Sequence, residues 1–184
     1  ARLDKMAETL VEDEALAVRL THSVNYKRAT QQLADLNLKI GYYNSIQSDD
    51  ERRLDMLDFS KIQEMKLSNS DVLTFADSML TVKGIDHTTM TSHAKARALY
   101  GDMADKQLLH IMERRNQAVR DYISFQHPEL REGAIVIDAI DYERLKNSSG
   151  KNRYNVTLIV DGEEVPINTD DDETNEEEIL EDAN

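Results

Sequence analysis

"THSVNY", residues 21–26, is the stretch on which the fold turns. Around it, apolar residues recur three and four apart, as along one face of a helix. Leu3, Met6, Leu10, Ala17, Leu20 and Val24 form one such stripe, interrupted at Asp13, and Ala29, Leu33, Leu36, Ile40 and Tyr43 form a second. The step from Val24 to Ala29 is five residues, so the stripes are out of phase, and the residues between them are poor helix formers. Either a helix breaks here or a continuous seam rotates toward a second partner. We take residues 2–47 as one helix, kinked at 21–26.

Downstream, "NSIQSDDE" (44–51) reads as a turn in which Ser48 or Asp49 caps a short amphipathic helix within 50–66, carrying Leu54, Leu57, Phe59, Ile62 and Met65. "SNSD" (68–71) is a second capping cluster. The apolar face that follows it is Val72, Phe75, Ala76, Met79 and Leu80. Gly84 sits where a left-handed C-terminal cap belongs, and Ile85 is placed for the accompanying apolar contact. The segment 88–126 has the most regular pattern: Ala94, Arg97, Gly101, Ala104, Leu108, Ile111, Arg115, Ala118, Tyr122 and Phe125 alternate three and four apart without a slip. Its first half is built of small residues, which permits close helix approach, and Pro128 ends it near Gln126.

Beyond "HPELREG" the period changes. "AIVIDAI" (134–140) is rich in β-branched residues and reads as a strand. "YNVTLIV" (154–160) and "EEVPI" (163–167), joined by Asp161–Gly162, read as a hairpin on a type I′ turn, with Pro166 at a sheet edge. The polar excursion 141–153 is expected to be loop at "NSSGKN". The expected fold is therefore mainly α with a small C-terminal antiparallel β-sheet (α+β). It comprises an elongated helical hairpin or coiled-coil-like bundle over 1–127, a sheet module over 128–168 and a disordered acidic tail over 169–184.

The formal net charge is −14, and nine carboxylates without a basic residue fall in 169–184, so the acidity belongs mostly to that segment. Whole-surface binding to nucleic acid is unfavourable at this charge, and any such contact should be weak and local. Cysteine is absent, which excludes disulfides and thiolate chemistry and fits a reducing compartment. No apolar run is long enough for a membrane span, and the opening residues lack a signal-peptide core. A cytoplasmic location is expected, or a virion if the source is a phage.

No G-x-S-x-G, Walker A loop or G-x-G-x-x-G occurs, and six glycines leave little material for phosphate-cradling loops. His22, His87, His93, His110 and His127 form no H-E-x-x-H pair, so no metal, cofactor or catalytic residue is expected. Binding residues are sought in two places. In the tail, Ile179 and Leu180 lie among Asp170, Asp171, Asp172, Glu176, Glu177 and Glu178, as a docking peptide with an acidic surround would. The competing readings are a solubilising bristle and a segment that occupies a basic strip on its own protein. That strip would be Arg144, Lys146, Lys151 and Arg153. An oligomer seam is expected along Arg97, Gly101, Ala104, Leu108, Ile111 and Arg115, with the two arginines fixing register by pairing with acids of another helix or subunit.

These features suggest a non-enzymatic helical oligomerisation or assembly protein. Its partners would be copies of itself and other subunits, including ones with a basic surface. The helix-then-hairpin layout has the style of bacteriophage virion or assembly components. Two alternatives are a DNA-handling assembly subunit, similar in layout to small terminase subunits, and a regulator that grips a basic partner through its anionic tail.

Overall fold

The computed structural model describes residues 2–47 and 56–165. In chain order the elements are α1 (Arg2–Glu12), β1 (Leu16–Asn25), α2 (Tyr26–Ile46), α3 (Met56–Glu64), α4 (Ser70–Val82), α5 (Ser92–Gln126), β2 (Ile135–Ile137), α6 (Tyr142–Lys146), β3 (Ser149–Val160) and β4 (Glu163–Val165). The fold is mixed α/β, with one four-stranded sheet in the order β2-β1-β3-β4.

The expected kinked helix over 2–47 is replaced by helix, strand and helix. The poor helix formers of 21–26 end β1, and the phase slip between Val24 and Ala29 is the strand-to-helix junction itself. There the Asn25 side chain accepts the Arg28 N–H and caps α2. The sheet is consequently not a C-terminal antiparallel module. Its second strand comes from the N-terminal segment, and β1 pairs in parallel with β2, Val18 opposite Ile135 and Leu20 opposite Ile137. The Asp161 N–H bonds the Ala15 carbonyl and the Tyr26 N–H bonds the Ser148 carbonyl, so β3 runs opposite to β1. The hairpin β3–β4 is antiparallel as expected, and Asp161 (φ 53°) and Gly162 (φ 86°) both take the positive φ that a type I′ turn requires. The excursion at 141–153 is helix α6 and the start of β3 instead of loop. Pro166 lies outside the described residues.

The described residues divide into two compact units, each discontinuous in sequence: a sheet unit (2–21, 122–138, 154–165) and a helical unit (22–47, 56–121, 139–153). In the helical unit, α2 packs against α3, α4 and α6. One apolar core joins Ala34, Leu38, Val72, Ala76, Ala96 and Ala104, and a second joins Val24, Tyr26, Leu108, Met112 and Leu145. Leu33 touches both. The close approach comes at Gly41, where any Cβ would collide with the Tyr100 hydroxyl. Helix α4 is capped at both ends as expected. Asn69 accepts the Asp71 N–H, and Gly84 (φ 68°) ends the helix with Ile85 N–H bonded to the Leu80 carbonyl at 3.0 Å. Helix α2 begins only at Tyr26, so the helical segment expected from residue 2 onward is shorter than the sequence pattern suggests.

In the sheet unit, Ala7, Leu10, Ala17, Val18, Leu20 and Ala134 are buried. Polar links join its separated segments: Arg19 pairs with Asp138 and with Glu164, and the Arg131 guanidinium donates to the Leu16 carbonyl at 2.6 Å. The Thr21 hydroxyl donates to Asp138 at 2.5 Å.

Candidate functional site

At the start of α2 the helical unit has a cleft of about 410 Å³. Its apolar floor is Val24, Ala29 and Gly150, and its polar lining is Asn25, Arg28, Gln32, Ser149, Lys151 and Asn152. Three elements build it, and the end of β1 supplies Val24 and Asn25. The capped first turn of α2 presents Arg28, and β3 presents Lys151 and Asn152 from its first residues. At the floor, Gly150 lies against the hydroxyl of the buried Ser23, which would have to turn away to admit a Cβ there. Arg115, from α5, donates to the Asn152 carbonyl oxygen at 2.6 Å.

Of the expected basic strip, Lys151 lines this cleft, whereas Arg153 is an exposed β3 residue that does not. Arg144 and Lys146 lie on α6, where the Lys146 ammonium is 3.4 Å from Glu143 and 4.1 Å from the centre of the Tyr142 ring. Arg28 carried no functional signal in the sequence, because its place beside Lys151 depends on β1 being a strand.

The expected seam residues separate by burial. Gly101, Ala104 and Leu108 are buried within the chain's own helical unit, and Ile111 is 38% exposed. Arg97 pairs with Asp105 of its own helix at 3.1 Å, and its side chain fills the space that a Cβ on Gly101 would enter. Arg115 bonds Asn152. Between α2 and α5 there is a reciprocal amide pair. Buried Asn37 donates to Gln107 at 2.7 Å and accepts from it at 3.3 Å. Neutral amides leave no patterned charge in the sequence, so nothing there marked them.

Two histidines have opposite environments. His22 in the helical unit is pushed below the ordinary histidine range by burial, against hydrogen bonding to Asn116 and to the Met112 backbone. His127 in the sheet unit is raised by its hydrogen bond to Asp4, with burial opposing and Glu129 adding to the rise. Its Nε2 is 3.1 Å from Asp4 and its Nδ1 is 3.3 Å from Glu129, while the Tyr122 hydroxyl donates to the same Asp4 oxygen at 2.6 Å. Ser124 and His127 line one cavity of about 370 Å³. The composition Ser, His, Asp invites a nucleophilic reading, but both ring nitrogens face carboxylates, so neither is left to take a serine proton.

Among the described residues, no group of three or more His, Asp or Glu is placed to hold a metal, and no helix is long and apolar enough to cross a membrane. Asp170, Asp171, Asp172, Glu176, Glu177, Glu178, Ile179 and Leu180 lie outside the described residues. No known family model, curated protein or solved structure matches the chain.

Proposed function

We propose that this chain is a non-enzymatic assembly protein that associates with copies of itself through uncovered apolar positions of its helices. The observation that carries this reading is the exposure along α5: Met103 is 50% exposed, Ile111 38% and Phe125 81%. Val82, at the last turn of α4, is 85% exposed as well. Single exposed apolar residues are ordinary on any surface. Phe125 is the most exposed Phe in a chain with three Phe and no Trp, and so the position most worth covering. Phe125 offers the kind of aromatic anchor around which interface energy concentrates.

The test is the mass in solution, by sedimentation velocity or mass photometry across the micromolar range. A concentration-dependent oligomer that dissociates in Phe125→Ser and Met103→Ser supports the proposal. A strict monomer at tens of micromolar overturns it.

A further inference from the structure

We propose that the cleft at the start of α2 binds a phosphate-type oxyanion, a reading independent of self-association. Three observations carry it. First, the chain holds 36 Asp and Glu, yet no carboxylate lines this cleft. Second, Arg28 and Lys151 both line it, and neither side chain has an acidic partner among the described residues. Third, the side-chain oxygens of both asparagines in the lining are already used. The Asn25 side-chain oxygen accepts the Arg28 N–H at 3.0 Å, and the Asn152 oxygen accepts from Arg115 at 2.6 Å.

Arginine can only donate, so its bond fixes which atom of the Asn152 amide is the oxygen and leaves the NH2 end as a donor. The same logic leaves the Asn25 amide NH2 as a donor. The cleft is thus walled by two cations and two committed amide donors, with Gln32 and Ser149 able to turn their donors inward. A group rich in acceptors and negative charge answers that wall, and a phosphate offers both. The positive end of the α2 dipole is a minor addition of the same sign. A volume of about 410 Å³ falls in the ordinary range for small-ligand sites and leaves room beside the phosphate for part of its carrier. That carrier is either a small phosphate ester or a nucleic-acid backbone.

The experiment is an amide-resolved NMR titration of the full chain with inorganic phosphate at constant ionic strength, balanced with chloride. Saturable shifts confined to Arg28, Gly150, Lys151 and Asn152 are expected, with Kd on the order of a millimolar for so exposed a site. Arg28→Gln and Lys151→Gln should each weaken binding about fivefold or more. Asn152→Asp should abolish binding, because it keeps an acceptor for Arg115 but turns the cleft-facing donor into a charge of the wrong sign. Arg144→Gln, outside the cleft, should change nothing. Unchanged peaks far from the cleft show that each variant is folded. Adenosine monophosphate and a short single-stranded DNA then separate the carriers. Tighter binding of the monophosphate assigns a small ester, and tighter binding of DNA that weakens with salt and in Arg28→Gln assigns a backbone. The proposal is overturned if no saturable shift occurs at tens of millimolar phosphate. It is equally overturned if chloride alone reproduces the shifts, or if the three cleft variants bind like the parent chain.

Discussion

The helical unit and the sheet unit differ in the balance of forces: both apolar core clusters lie in the helical unit, which also carries ion pairs such as Lys95–Asp77 and His93–Asp35. In the former, Leu38, Val72, Ala76 and Ala96 are fully buried against one another, and polar pairs such as Asn37–Gln107 sit within that packing. In the latter, strands and helix ends from three separated segments are joined by Arg19 to Asp138 and Glu164, and by Asp4 to Tyr122 and His127. Apolar burial is insensitive to salt and pH, whereas exposed charge pairs weaken with both. The helical unit, with both apolar clusters, should therefore be the firmer of the two, and the sheet unit should lose the larger share of its stability when charge pairs are screened.

The largest effect that would break this contrast is a cavity in the frame. Leu38→Ala should cost about 2–5 kcal/mol, read as a lower urea midpoint with an unchanged slope; a loss well below that range would show the helical core to be no firmer than the sheet unit. Next is Gln107→Ala, which strands the buried Asn37 amide and should cost about 1–3 kcal/mol. Replacing both partners with leucine should recover much of that loss. If the single and double variants are equally unstable, the loss does not come from the stranded amide. Third comes Arg19→Ala. With its side chain 37% exposed, the loss should be at most about 1 kcal/mol, and hydrogen exchange should quicken at β1 and β2 amides while those of α2 stay protected.

The smallest effect is also the sharpest test, because the two histidines slope opposite ways. His22 has a depressed folded pKa, so its contribution is complete above the ordinary histidine value of 6.5 and is lost as pH falls through the folded value. His127 has a raised folded pKa, so its contribution is complete below 6.5 and is lost as pH rises through the folded value. Stability between pH 5 and 8 should pass through a maximum near the ordinary histidine pKa. His22→Gln should flatten the acidic limb, and His127→Gln the alkaline limb. Salt should shrink only the alkaline limb, since Glu129 is half exposed. An alkaline limb that survives in His127→Gln would refute the Asp4–His127 account.

Local signals were legible in the sequence where they acted alone. Asn69 and Gly84 bounded α4, Pro128 stopped α5, and Asp161–Gly162 turned the hairpin. What was not legible is β1. It lies between β2 and β3, and Ala17, Val18, Leu20, Ser23 and Val24 are all buried along it. A strand covered this way loses the apolar–polar alternation that marks a half-exposed one, and Ala17, Leu20 and Val24 also happen to fit helical spacing. The error then spread. With 21–26 read as helix, Arg28 could not be set beside Lys151, so half of the candidate site was hidden. The seam is a different case: periodicity shows that Ala104 and Leu108 face something apolar, which in this chain is its own helical core, but a period alone does not distinguish the same chain from another.

The parallel pairing of β1 with β2 also sets an order of events during synthesis. Hairpins can close as soon as both strands exist, but Val18 must wait for Ile135, with every long helix of the chain made in between. The core around Ala34, Leu38, Val72 and Ala104 needs nothing beyond α5 and can form first. Until β2 and β3 are made, β1 lacks the partners on both of its edges, and an unpaired strand edge is a template for pairing with another chain.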